Sequence, residues 1–198
     1  MKTNLWILIL VISSLLLTFC RKENTNNSVD NSTIGYFPNG VGSFWEYARF
    51  DSITNHSDTI FVRVKSTVLK NGKNYSLWTY EKSSMVLDSA LVYASQDSVI
   101  MLGPDNFYSP KIILLPYTLH NKWNSSEIQG DTSYVEAQYL LESLQTFKII
   151  RRFFGVDLSW NYDEWLAPHV GLIKENIKEF NLLRPKNESW MLIDYLVK

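Results

Sequence analysis

Period-2 alternation of apolar and polar residues, broken by turn residues at roughly 8–12-residue spacing, leaves few folds open to this chain. From Thr59 to Ser66 the residues Ile60, Val62 and Val64 fall on one side, and Phe61, Arg63 and Lys65 on the other. Only an extended strand separates neighbours in this way. Asn71-Gly72 follows and supplies the positive-φ residues of a tight hairpin turn, so Tyr75 to Tyr80 is the partner strand. Phe44 to Phe50 reads the same way, with Trp45, Tyr47 and Arg49 on one face and Phe44, Glu46 and Phe50 on the other. Further strands are expected at Ala90–Ala94 and Ser98–Leu102, joined by Ser95-Gln96-Asp97, and at Lys111–Leu115 between two prolines. Thr146–Phe154, Leu158–Leu166, Leu172–Phe180 and Ser189–Val197 complete the set. Between Tyr134 and Gln145, Val135, Tyr139, Leu140 and Leu144 recur at helical spacing, which allows a short helix there. The predicted fold is mainly β: a single antiparallel curved sheet, a half-barrel or barrel-like meander, with at most one or two short helices.

One internal echo stands out. Pro38 precedes Trp45 by the same interval that separates Pro116 from Trp123, and each proline follows an apolar residue. Gly42 occupies the turn in the first copy and His120 in the second. Proline ends one extended run, the turn residue reverses the chain, and tryptophan plugs the start of the next strand into the core.

The N-terminus has a different character. Lys2 is followed by an almost unbroken apolar run from Leu5 to Leu17, and the chain turns polar at Arg21. An apolar helix of about 15 residues spans roughly 22 Å, short of the ~30 Å hydrocarbon layer, so an export signal is the expectation rather than a membrane span. Glu23 to Thr33 is rich in Asn, Ser, Thr and Asp, with Val29 its only apolar residue, and cannot bury enough surface to order itself. Residues 1–19 are accordingly read as signal, 20–33 as tether, and 34–198 as one β-rich domain. Leu17, Thr18 and the chain's only cysteine, Cys20, resemble the processing site of bacterial lipoproteins, with Phe19 departing from the small residue usual before the Cys. That resemblance implies acylation of Cys20 (a palmitate-type anchor), and Arg21 in place of Asp implies delivery to the outer membrane.

A wider resemblance covers most of the remaining chain. Tyr36-Phe37-Pro38, the Gly42 turn and Trp45-Glu46-Tyr47, together with Trp165 to Lys174 (Trp-Leu-Ala-Pro-His-Val-Gly-Leu-Ile-Lys), are similar to segments of a group of uncharacterised lipoproteins of Bacteroidetes-type bacteria. That group often has Gly where this chain has His169. The resemblance implies a curved antiparallel sheet similar to lipoprotein carriers, and no known activity.

Chemistry is sparse. With 19 Lys and Arg against 20 Asp and Glu, there is no basic stripe for nucleic acid. His56, His120 and His169 lie far apart without carboxylate or Cys at ligand spacing, so no metal or other cofactor is expected. Asp163 and Glu164 are neighbours on a strand and point to opposite faces, so they form no catalytic pair by themselves. No nucleophile elbow, Walker loop or dinucleotide fingerprint occurs. Trp78 with Tyr80, and Trp160 with Tyr162, each put two rings on one strand face. They are either core or an aromatic-lined concave face that holds a lipid, glycan or peptide. The leading expectation is a non-enzymatic envelope lipoprotein whose β domain binds or scaffolds. It would meet the membrane through its lipid and a protein, glycan or lipid through its body. A carrier enclosing an acyl chain and a hydrolase of envelope polymers are the alternatives.

Overall fold

The structure, a computed structural model, describes residues 36–103, 110–141, 143–181 and 185–198. The expected signal, Cys20 and the tether lie outside these residues. Twelve strands are present among them: β1 (Phe44–Asp51), β2 (His56–Lys70), β3 (Lys73–Lys82), β4 (Met85–Ala94), β5 (Ser98–Leu102) and β6 (Lys111–Leu114) form the first half. The second half is β7 (Lys122–Asn124), β8 (Thr132–Leu141), β9 (Leu144–Phe154), β10 (Leu158–Ala167), β11 (Gly171–Asn181) and β12 (Lys186–Leu196). All belong to one antiparallel sheet in the order β6-β5-β4-β3-β2-β1-β12-β11-β10-β9-β8-β7. Two six-stranded meanders are thus joined through the β1–β12 pair, where Phe44 lies opposite Leu196 and Asp51 opposite Glu188.

The two edge strands almost meet. Ile112 of β6 donates its backbone N–H to the Ser125 carbonyl just beyond β7 at 2.7 Å, and the Trp123 indole donates to the Ile112 carbonyl at 2.8 Å. The sheet is therefore nearly closed into a barrel, which removes most of the exposed edge that an open sheet would offer to other chains. As ordered by the meander, the upper end of the barrel carries the entry segment Tyr36–Ser43 and the turns at 71–72, 95–97, 115–121 and 168–170. The lower end carries the turns at 52–55, 83–84, 125–131 and 155–157.

The proline–tryptophan echo is a structural repeat. Gly42 N–H donates to the Val64 carbonyl at 2.9 Å and Val64 N–H to the Ser43 carbonyl at 3.0 Å. At the head of the second half, His120 N–H donates to the Val135 carbonyl at 2.9 Å and Val135 N–H to the Asn121 carbonyl at 3.0 Å. Gly42 (φ +89°) and His120 (φ +62°) share the left-handed conformation that the reversal needs. A register shift follows Val64 in β2 and Val135 in β8. His169 (φ +62°) is left-handed too.

The upper half of the interior is filled. Trp45, 1 % exposed, stacks on Trp78 at 4.8 Å, and Phe37 stacks on the same indole at 5.8 Å. Around them lie Val62, Val64, Val92, Val99, Ile113, Val135, Phe147 and Leu166. The polar edges of the tryptophans are satisfied in place: Trp45 Nε1 donates to the Val170 carbonyl at 2.6 Å and Trp78 Nε1 to Asn39 Oδ1 at 2.7 Å. The entry segment is thereby drawn over the upper mouth as a lid. Gly171 (φ +97°) permits the close approach, since a Cβ there would stand 3.3 Å from Pro38 Cγ.

The helix allowed between Tyr134 and Gln145 is not formed. That stretch is β8 followed by a turn into β9, and no helix occurs among the described residues. The extra residue of the bulge after Val135 shifts the alternation by one and imitates a helical period. Across the bulge Val135 and Leu140 share a face, since their partners Ile149 and Gln145 are four residues apart on β9; Val135 is buried in the core and Leu140, beside the β8–β9 turn, is exposed. Replacing Trp45 by Ala should leave a cavity under the lid and deprive the Val170 carbonyl of the indole that donates to it. The expected cost is about 3–5 kcal/mol, read as a lowered urea midpoint with an unchanged slope.

Candidate functional site

Inward-facing positions follow from the register. Opposite residues of an antiparallel pair share a face, so Tyr80, opposite Val62, points inside with Trp45. By the same rule Glu164, opposite Ile149, and Glu175, opposite Glu164, point inside. Lys111 is opposite Met101, which is opposite the core residue Val92. An ion pair between Lys111 Nζ and Glu164 Oε1 confirms the geometry, because β6 and β10 are not sheet neighbours and the two side chains meet across the interior.

The lower half of this interior differs from the upper. Its walls are Tyr80, Lys111, Tyr162, Glu164, Glu175 and Trp190, with Arg49, Asp58, Lys82 and Glu188 toward the lower end. Tyr80 and Glu175 face inward by register, yet both keep accessible surface. Inward-facing side chains that stay accessible mean that solvent reaches the lower half of the interior. It is a chamber with polar walls beneath an apolar plug.

Ion pairs organise the walls. Arg49 is held by Asp58 at 2.6 Å and lies 3.6 Å from Glu188, and Lys82 adds a contact to Asp58 at 2.8 Å. The hydrogen bonds from Arg49, joined by Lys82, hold Asp58 far below the usual carboxylate range. On the far wall Asp131, fully buried, accepts from Arg151 Nε at 3.0 Å and from the Trp160 indole at 3.1 Å. Burial alone would raise Asp131, but these bonds outweigh it and keep its pKa low. Glu175 is the exception. Burial, then the Glu164 carboxylate directly opposite, push it up to about 7, with Lys111 pulling the other way. Tyr80, Tyr162 and Tyr47 are all raised, by burial first.

Among the described residues two buried side-chain oxygens have no hydrogen-bond partner. One is the Tyr117 hydroxyl, whose ring packs against Tyr36 and Phe147 and on which Glu164 acts electrostatically. Glu179 Oε2 lies near the mouth, its nearest countercharge being Lys186 Nζ at 3.8 Å. Outside the lower rim, a groove of about 370 Å³ is lined by Ile53, Phe154, Trp160, Lys178, Phe180 and Pro185, among others. Phe154 and Val156 in the adjoining turn are 82 % and 94 % exposed.

The aromatic pairs singled out in the sequence are separated by depth. Trp78 belongs to the plug, and Tyr80, two residues lower, faces the chamber. Trp160 packs on Phe153 at 4.5 Å beside the Arg151–Asp131 pair, and Tyr162 lies next to it on the chamber wall with the Arg151 guanidinium 5.7 Å from its ring. Arg151 and Arg152 divide between the two faces, the first buried against Asp131 and the second paired outside with Asp163 at 2.8 Å. The sequence reading found no pair of carboxylates. The pair is Glu164 with Glu175, and only the β10–β11 register brings them together. The three histidines stay apart, and no group of three or more metal-ligating side chains gathers among the described residues.

No family model and no curated protein matches the chain. Distant likenesses occur among solved structures. A candidate lipoprotein from Parabacteroides distasonis is 10 % identical with a TM-score of 0.45, and a candidate exported protein with a YmcC-like fold from Bacteroides fragilis is 10 % identical at 0.47. Each comparison covers 81 % of this chain and 98 % of the other. A candidate outer-membrane lipoprotein-sorting protein domain from Vibrio parahaemolyticus, also 10 % identical, scores 0.26 over 81 % of this chain and 87 % of its own.

The pKa of Glu175 makes stability depend on pH. A carboxyl raised by folding destabilises the native state once ionised, so stability should fall as pH climbs from the ordinary value of 4.5 through about 7. At about 1.4 kcal/mol per unit the full loss is on the order of 3 kcal/mol. Glu175→Gln should flatten the profile between pH 5 and pH 8, measured by urea unfolding at each pH. Asp58 contributes in the opposite sense and in a separate window, where stability is lost below about pH 4.

Proposed function

We propose that this protein is a lipid-anchored component of the bacterial outer envelope whose barrel binds a small polar ligand in its lower chamber without transforming it. The observation that carries the reading is the division of the interior: what is apolar is filled, and what is accessible is polar and charged. An acyl chain matches neither half, since it would have to displace the stacked tryptophans or lie against carboxylates and a lysine. The anchor rests on Cys20 and the apolar run before it. A single acyl chain of myristoyl length holds a protein only marginally, and two or three make attachment stable.

A hydrolase is the second reading, favoured by the opposed Glu164 and Glu175, one of which carries a proton near neutral pH. Against it, Glu164 is tied to Lys111 and is only 3 % exposed, which leaves one free carboxyl rather than two.

Thermal shift of the detergent-solubilised full chain against amines, sugars, dipeptides and fatty acids tests the reading. At least one polar class should raise Tm, with the gain lost in Ile177→Trp, which places an indole on the inner face opposite Tyr162. That variant enlarges a buried side chain and should itself cost about 1–3 kcal/mol. Stoichiometric fatty-acid binding, or turnover of an envelope glycan, would overturn it. Mass spectrometry of the native N-terminus should find an acylated Cys20, and Cys20→Ser should release the protein from the membrane fraction.

A further inference from the structure

The charges facing the interior do not balance, and the imbalance is local. Each inward cation has a carboxylate: Arg49 and Lys82 have Asp58, Lys111 has Glu164, Arg151 has Asp131, and Lys186 stands near Glu179. The converse fails at Glu175. Among the described residues none hydrogen-bonds to its carboxyl or ion-pairs with it, and the group directly opposite is another carboxylate. Like charges directly opposite on paired strands repel, with Cβ atoms about 5 Å apart. Lys111 answers the charge of Glu164, so the group left without a partner is the Glu175 carboxyl, and a cationic ligand beside it would supply one.

Two further features mark the spot. Tyr117, 5 % exposed, has a buried hydroxyl with no partner, and the Glu164 carboxylate acts on it electrostatically. A hydroxyl that lay within reach could accept a hydrogen bond from a primary ammonium while a carboxylate takes the charge; a quaternary ammonium has no N–H and would use the ring face and carboxylate alone. The ring faces are unequal as well. The Arg49 guanidinium lies 5.9 Å from the Trp190 centroid and that of Arg151 5.7 Å from Tyr162, whereas no described cation lies over Tyr80. A free aromatic face beside a carboxyl is how proteins hold ammonium groups. A metal ion is the poorer match, since no three ligating side chains converge among the described residues.

We propose that the chamber is a site for a small organic cation, a primary or quaternary ammonium, seated on the Glu175 carboxyl beside the Lys111–Glu164 pair and against the Tyr80 ring. This rests on the reading of the chamber as a ligand site and assigns the ligand its charge.

Binding is then linked to pH. The groups acting on Glu175 are Glu164 from β10, Lys111 from β6, and Glu188 and Lys186 from β12. Glu175 in turn acts on Tyr47, Tyr80 and Tyr162. Glu175 is placed to titrate near neutrality, at about 7. A bound cation favours its ionised form, so affinity should rise with pH and be about tenfold weaker at pH 6 than at pH 8.

Isothermal titration of the detergent-solubilised full chain with choline and with 1,5-diaminopentane tests this, with acetate and glucose as anionic and neutral counterparts. The expected result is saturable binding of one cation per chain, with the stated pH dependence. Glu175→Gln should weaken it at least tenfold at pH 8 and abolish the pH dependence, and Tyr80→Leu should weaken it independently of pH. The outer-face variant Asp163→Asn should change nothing. If acetate or glucose binds instead, and Ile177→Trp removes that binding, the chamber reading stands and the cationic ligand is refuted. If none of the four probes binds, the cationic ligand is refuted as well, and the wider thermal-shift panel alone decides the chamber. Cation binding indifferent to both pH and Glu175→Gln would place the site elsewhere and overturn the assignment.

Discussion

A sheet of twelve strands encloses more width than one layer of side chains can fill, and most of what is particular about this molecule follows from that constraint. At about eight strands the interior of a barrel is just filled by its own residues. Here the upper half is closed by the largest side chains available, with Trp45, Trp78 and Phe37 stacked in series, and by a segment of chain laid across the mouth. The lid is fastened by polar groups rather than by apolar contact alone. Asn39 accepts from the Trp78 indole and donates to the Val92 carbonyl, and its own carbonyl accepts from Ser76. His169 N–H donates to the Tyr36 carbonyl at 2.8 Å, which ties the lid to the β10–β11 turn.

The lower half receives no such plug. Ionisable groups turned inward there would be costly in a dry core, since isolated charges lose their hydration. They are tolerated because most are paired, as Arg49, Lys82 and Asp58 are, and because the space around them is not sealed. Paired walls hold their shape while leaving the centre to something else. Glu175 breaks the pattern, and the cost appears in its raised pKa. Residues that lower stability without serving the fold are where function is to be sought.

What the sequence disclosed, and what it withheld, divides along range. The Asn71-Gly72 hairpin and the alternation of Ile60, Val62 and Val64 are properties of adjacent residues, and both stand in the structure as read. Where a bulge inserts one residue, as after Val135, the alternation slips and the same residues counterfeit a helix. The site was out of reach for a related reason. Glu164 and Glu175 become opposite only through the β10–β11 turn, and the bulge near Trp165 alters the count of residues beyond them. Lys111 meets Glu164 only because the sheet closes, and closure is a property of twelve strands together rather than of any one. Even Arg151 and Arg152, adjacent and identical, differ wholly in role, because neighbours on a strand face opposite sides.

The repeat relating the two halves explains where closure is weakest. Trp45 opens β1 and Trp123 opens β7 after equivalent turns, so the β1–β12 and β7–β6 contacts are counterparts. The first is a full ladder along all of β1. Among the described residues the second consists of the Ile112–Ser125 bond and the Trp123 indole, β6 and β7 being only four and three residues long. A seam with so few bonds needs support from elsewhere, and β6 has it in Lys111, whose ammonium reaches across the interior to Glu164. The same ion pair therefore holds the seam strand to the far wall and sets the charge of the chamber. If the chamber takes a ligand as proposed, one that competed for Glu164 would act on both, and occupancy would be coupled to the tightness of the seam through one contact.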